Sequence, residues 1–276
     1  MFHQPHEIQD ALRLRAAMGA DVMPLAGGTD IVVALNRQTT GPRHFLDLTQ
    51  ITGYSDVRQE NGVWNCSAGA TFARLGRLPV RALAEAAMSV GGPAIRNRAT
   101  IGGNLGTASP AGDGCTALLA MDAQVELAHA SRGTRLIPID EYFLGYRKTA
   151  LLADELITRI LVPAGWSSAW YKIGKRSSIN ISIACCAVGV SPNNDIRIAF
   201  GCVAPTVIRA KKAEAIIEKG GLADAAIADA AAVVTSEVSP IDDQRASGSY
   251  RRAMCGVILR RLLTQLRDER PAQRKD

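Results

Sequence analysis

The sequence predicts an α+β protein in two parts, and three observations carry that prediction. The first half alternates helical and extended patterns. From about residue 166, two or three long, largely apolar extended segments follow one another. Three helical segments then close the chain. Extended segments followed by a helical run describe an α+β module rather than a continued βαβ pattern. The change of texture puts a boundary near Pro163–Trp166, with a first domain over 1–165 and a second over 166–276.

The elements read in order as follows. HEIQDALRLRAAMG carries Ile8, Leu12, Arg15 and Ala16 at helical spacing and stops at Gly19. DVMPLAGG reads as a short strand running into a double glycine. Thr29 is placed to cap a helix TDIVVALNRQ, with Asp30 in its first turn. HFLDL is a strand, and VRQENGVWNCSAG is a hairpin turning at Asn61-Gly62, a type I′ signal. Helical segments follow at ARLGRL and VRALAEAAMSV. Next come a glycine-rich loop, a buried helix CTALLAMDA, and two strands in QVELAHASRGTRLIPI joined at Arg132-Gly133. In the second domain the strands lie within WYKIGKRSSINISIACCAVGVSPNNDIRIAFGCVAP, with a turn at Pro192–Asp195. The closing helices are VIRAKKAEAIIEK, LADAAIADAAAVVTSEV and GSYRRAMCGVILRRLLTQL.

Composition excludes several classes. The longest apolar run, ISIACCAVGV, is too short to cross a bilayer, and no secretory signal opens the chain, so the expected location is cytoplasmic. The net charge of +6 gathers toward the end, where Arg251, Arg252, Arg260, Arg261 and Arg267 read as a solvated or partner-docking helix face. No recognition helix, RNP motif or stacking aromatic pattern accompanies that charge, so nucleic acid is not an expected partner. Cys66, Cys115, Cys185, Cys186, Cys202 and Cys255 form no C-x-x-C and no Cys/His cluster with metal spacing, so no metal site is expected in this chain. Adjacent Cys185 and Cys186 on a strand point to opposite faces. His3, His6, His44 and His129 are scattered, and no catalytic residue is assigned.

Two stretches combine adjacent glycines with small polar residues: LAGGTDIV at 25–32 and TIGGNLGTASPAGD at 100–113. Each lacks the side chains that usually bind a ligand, but glycine leaves backbone amides unshielded, and such amides hold phosphate without a lysine. Neither is a P-loop or a G-x-G-x-x-G fingerprint. A Gly-Gly pair is also an ordinary tight turn, and composition alone leaves both readings open.

LAGGTD and IRNRATIGGNLGTASPAGD closely resemble the two flavin-binding stretches of the FAD subunits of molybdenum hydroxylases, the medium chains of the carbon monoxide dehydrogenase and bacterial xanthine dehydrogenase type. The similarity continues through ALLAMDAQVEL, FLGYRKTALLADELITRILVP and YKIGKRSSINISIACCAV to RIAFGCVAPTVIRA. It implies an FAD-binding fold of the vanillyl-alcohol-oxidase type in two α+β subdomains, about 1–52 and 53–165. A smaller α+β domain with an antiparallel sheet and helices would follow. FAD would be bound noncovalently. It would receive electrons from a molybdenum cofactor in a large subunit through [2Fe–2S] clusters in a small one, in a complex that is a dimer of heterotrimers. The acceptor would be external, such as NAD or a quinone.

By the same resemblance Leu25, Ala26, Gly27, Gly28, Thr29, Asp30, Ile31 and Val32 would wrap the FAD diphosphate. Thr100, Ile101, Gly102, Gly103 and Asn104 would form a second cradle. Asp113 would accept hydrogen bonds from cofactor hydroxyls, or else cap the helix that follows it. Ile157 would be an apolar contact and Lys172 a polar one near the flavin, although Lys172 also reads as a solvated strand-edge lysine. Val90 falls where xanthine dehydrogenases can place an aromatic residue, which implies a more loosely held or more exposed flavin. An assembly module that keeps the fold with little flavin binding is the alternative.

Overall fold

The computed structural model describes residues 1–37, 44–176 and 179–269. The chain opens on a small parallel sheet of β1 (Phe2–His3), β2 (Val22–Leu25) and β3 (His44–Asp47) in the order β1-β3-β2. Helix α1 (Ile8–Met18) buries Ala11, Leu12 and Arg15 against it and ends at Gly19, whose φ is +50°. Helix α2 (Ile31–Asn36) follows β2. Its N-cap is Asp30, not Thr29, and no side chain caps it. The last residue of the expected helix, Gln38, lies outside the described residues.

β4 (Val57–Glu60) and β5 (Val63–Ser67) form the expected hairpin, with Asn61 and Gly62 both at positive φ (50° and 75°), as a type I′ turn requires. Four helices follow: α3 (Phe72–Leu75), α4 (Arg81–Ser89), α5 (Pro93–Arg96) and α6 (Ile101–Thr107). The last of these is the glycine-rich stretch expected to be a loop. Thr100 is its N-cap, accepting from the Gly103 amide, and the Ile101 and Gly102 amides bond to Ala70 and Ala68. Tertiary bonding thus overrides the poor helix propensity of glycine.

Helix α7 (Asp113–Ala120) is buried along its whole length. It leads to β6 (Gln124–His129), β7 (Gly133–Pro138), α8 (Ile139–Tyr142), the ribbon β8 (Phe143–Gly145) and β9 (Lys148–Thr149), and β10 (Leu156–Pro163). The antiparallel sheet runs β4-β5-β10-β6-β7, so β10 returns to its centre.

The second antiparallel sheet holds β11 (Ser167–Ile173), β12 (Ala184–Val190), β13 (Ile196–Gly201) and β14 (Ile208–Arg209), that is, three full strands and one short one. One face packs on α4 and α7. The other packs on α9 (Lys211–Gly220) and α11 (Gly248–Glu269), with α10 (Asp224–Val233) against both helices. Cys185 joins the first core and Cys186 the second, as strand alternation predicts.

The expected basic face of α11 needs one correction. Arg251 is buried, donating from Nη1 to the Ile183 and Cys202 carbonyls and from Nη2 to Asp243 at 2.6 Å. Burial would raise the Asp243 pKa. The Arg245 amide, the Arg251 guanidinium and the Ala246 amide outweigh it and hold the carboxyl at about 2. A depressed native pKa contributes stability that is full above about pH 4, the unfolded value, and is lost as pH falls toward 2. Asp243→Asn should flatten that part of the acid-unfolding curve followed by circular dichroism.

Candidate functional site

β2 delivers the chain into Gly27-Gly28 at the seam between the first sheet and the helices of the second. A Cβ at Gly27 would lie 1.9 Å from the Arg98 carbonyl oxygen, so the two backbones touch there and no side chain fits. Gly28 has a φ of +74°, the left-handed region that glycine adopts without cost. The chain then turns into α2, with the Val32 amide bonding back to the Gly28 carbonyl. The amides of Gly27, Gly28 and Thr29 find no acceptor among the described residues.

These amides open on a cavity of about 670 Å³. That volume is within the roughly 300–1,000 Å³ of small-molecule sites. Phe72, Val90, Ile95 and Ile157 give it apolar wall, and Arg15, Asp30, Arg147 and Glu155 bring charge. The Thr107 hydroxyl donates to Asp30 at 2.6 Å, tying the start of α2 to the end of α6 across the lining. Tyr54 donates to the Ile157 carbonyl at 2.9 Å. Burial is the largest influence on Glu155 and would raise its pKa, but its bonds to Arg135 and the Leu152 amide overcome this and keep it below its ordinary range.

Of the residues the sequence singled out, Ala26, Gly27, Gly28, Thr29, Asp30 and Ile31 line this cavity. So do Val90, Thr100, Gly102, Gly103, Asn104 and Ile157. Five do not: Leu25 lies beside Gly28, Val32 is half exposed to solvent, Ile101 is buried in the core, and Asp113 and Lys172 pair with each other outside the lining. The second stretch also differs from the first in kind. Its amides at Ile101, Gly102, Gly103 and Asn104 all bond within the protein. It therefore offers a smooth wall rather than a second set of free donors.

Asp113 and Lys172 stand behind that wall. The Lys172 ammonium donates to Asp113 at 2.7 Å and to the Ser89 carbonyl at 3.1 Å, while Asp113 also accepts from Ser89 and Ser182. Ser89 is the neighbour of Val90, which faces the cavity. Asp113 is the first residue of α7 and makes no capping bond, since Gly112 is the cap. Lys172 is not a solvated edge lysine, because its side chain is 11% exposed.

Residues that the sequence left unassigned also line the cavity, among them the polar and charged Arg15, Tyr54, Thr107, Arg147 and Glu155. Arg15 was legible as a charge on the apolar stripe of α1, whereas the others carry no local signal.

Residues 1–165 match the family described as "FAD binding domain in molybdopterin dehydrogenase". The chain belongs to that family. Residues 169–266 match "CO dehydrogenase flavoprotein C-terminal domain". The flavin subunit is 31% identical to the nicotinate dehydrogenase FAD-subunit of Eubacterium barkeri, over 90% of each chain. It is 30% identical to the carbon monoxide dehydrogenase medium chain of Hydrogenophaga pseudoflava, over 95% of each. A solved carbon monoxide dehydrogenase from the same organism superposes with a TM-score of 0.89 at 30% identity, covering 97% of this chain and 96% of that one. The flavin subunit is thus an oxidoreductase component whose cofactor is FAD.

Two glycine substitutions separate packing from binding space. Gly27→Ala forces the Arg98 backbone away and should cost about 1–3 kcal/mol or more in urea denaturation. Gly106→Ala places its Cβ within 4 Å of nothing, on the cavity side of α6. It should leave stability unchanged or raise it by up to about 1 kcal/mol.

Proposed function

We propose that this chain is the flavin-carrying electron-transfer subunit of a heteromeric molybdenum hydroxylase. It takes electrons from [2Fe–2S] clusters of a small partner subunit, supplied from a molybdenum cofactor in a large one, and passes them to an external acceptor such as NAD or a quinone. The observation that carries the cofactor assignment is the trio of unpartnered amides, Gly27 to Thr29, facing a cavity of about 670 Å³. Amides aimed from a glycine corner hold a diphosphate without a lysine.

FAD supplies the redox chemistry when bound, and the protein supplies position and electrostatics. Ala26, Gly27, Gly28 and Thr29 would hold the diphosphate. Thr100, Gly102, Gly103 and Asn104 form the facing wall, where the absence of side chains at the glycines lets the cofactor lie close. Val90 and Ile157 are aliphatic and exclude water from a flat ring without stacking on it. Asp113 and Lys172, one residue behind Val90, would present a hydrogen-bonded charge pair toward the part of the cofactor lying there. Leu25, Val32 and Ile101 hold the corner and α6 in place.

Relatives carry the names of nicotinate, xanthine and carbon monoxide dehydrogenases. We assign choice of substrate to the large subunit and the relay to this one. The expected partners are those two subunits, in a dimer of heterotrimers.

Titrating the purified chain with FAD should quench flavin fluorescence with one equivalent bound. At a hundredfold excess over Kd it should add about 2.7 kcal/mol of stability. No quenching and no thermal shift would mean that the chain is an assembly module. Co-expression with the neighbouring hydroxylase subunits should yield equimolar chains by native mass spectrometry, and a flavin subunit that purifies alone under those conditions contradicts the relay.

A further inference from the structure

Arg15 is an arginine in the core of the first sheet. It is 8% exposed and lines the cavity beside Met23 and Pro24 of β2. Three carbonyls fix its guanidinium. Nη1 donates to Gly19 at 2.7 Å and to Val22, and Nε to Glu155 at 3.3 Å. Nη2 has no acceptor among the described residues, and no carboxylate there lies within ion-pair distance of Arg15. The two acidic neighbours are engaged elsewhere. Asp154 holds Arg132 through two bonds of 2.8 and 2.9 Å, and Glu155 holds Arg135 through two of 2.8 Å.

A buried cation with no carboxylate in contact is costly, and the attraction of Asp154 from beyond ion-pair distance offsets only part of the burial. Burial lowers its pKa, but an arginine stays charged at any physiological pH. The three carbonyls satisfy hydrogen bonds and leave the net charge in place. Arg15 lines the cavity with its Nη2 edge open, and a guanidinium edge suits an anionic oxygen or a carbonyl carrying negative charge.

We propose that Arg15 is an anion-recognition residue of the cofactor cavity, providing the fixed positive charge that meets a negatively charged part of FAD. This rests on the flavin reading above. Two parts of FAD carry such charge: the diphosphate, always, and the ring once it has taken up two electrons. The chemistry recognised is the same, and the two sources separate in one experiment.

Arg15→Gln keeps a donor for the carbonyls and removes the charge, and Arg15→Lys keeps the charge on a different head. Binding of FAD and of riboflavin, which lacks phosphate, would be measured on the purified chain, together with the midpoint potential of the bound flavin. If the diphosphate is the partner, Arg15→Gln weakens FAD about tenfold or more while riboflavin stays within about twofold. If the reduced ring is the partner, FAD affinity holds. The preference for reduced flavin then falls about tenfold, which is about 30 mV for a two-electron couple. Arg15→Lys retains most of either effect.

The proposal is overturned if neither quantity moves in Arg15→Gln, or if FAD and riboflavin weaken together, as loss of packing would make them. Should Arg15→Gln fail to fold, Arg15→Met, which also removes the charge, is measured in its place. A selective loss of FAD over riboflavin, or a shift in potential, supports the proposal, and wild-type behaviour in both overturns it. A wild-type chain that binds no FAD ends the flavin reading and this one together. Binding that is indifferent to Arg15 ends only this one.

Discussion

The close contact between Gly27 and the Arg98 carbonyl is the constraint on which the site depends. It joins the parallel sheet to the helical layer of the second sheet at a distance no side chain permits. Once those backbones touch, the end of β2 and the start of α6 become two walls of one cavity, and the amides that follow Gly27 face inward. The Asp30–Thr107 bond then fixes α2 against the far end of α6. A site built at such a seam draws each of its walls from a segment that the other one positions.

The two glycine pairs show the same residue serving different physical ends. At Gly28 the need is conformational, a positive φ. At Gly102 it is spatial, because a Cβ would meet Ala68 at 2.7 Å. Gly27 shares that spatial need, and only around Gly27 to Thr29 are donors left over. In α6 the Thr100 side chain and the Ala68 and Ala70 carbonyls take up the first amides, so the helix start has no group to offer a phosphate. A glycine-rich motif therefore indicates close approach of something, and only a count of amide partners tells ligand from neighbouring backbone.

Much of the fold was legible because it is set by local chemistry. The Asn61-Gly62 turn, the opposed faces of Cys185 and Cys186, and the helices α1, α4 and α7 follow from periodicity and turn dihedrals. What was not legible depends on contacts distant in sequence. α6 forms because residues 68–70 accept its amides, which no window around TIGGNLG reveals. Asp30 displaces Thr29 as cap residue and directs its carboxylate to Thr107 instead. Arg251 read as a surface charge on α11 and Arg15 as part of the helical stripe of α1, and both are buried because a guanidinium can serve several carbonyls at once. In the candidate site, the glycine corner was legible as a strand-to-helix bend with unshielded amides. The pairing of Asp113 with Lys172 was not, because it joins α7 to β11.

The apolar wall rests on an irregularity in the central strand. Along β10 the pairing with β6 shifts register between Ile157 and Arg159. A bulge of this kind bends a strand and re-aims a side chain, and bulges gather beside functional sites. Here Thr158 is the residue left between the two registers. Its hydroxyl donates to Glu126 at 2.7 Å, and its carbonyl accepts from the amide of Ala68, whose own carbonyl takes the Gly102 amide of α6. Ile157 keeps its carbonyl on the Tyr54 hydroxyl and its side chain on the cavity. The bulge thus links the two conditions the site needs: an apolar contact on the sheet side, and a fixed acceptor for the Ala68 segment that holds the glycine wall. A regular β10 would supply one alternating face and could not meet both, and the same strand is held on both edges by β5 and β6, so the wall it presents is rigid.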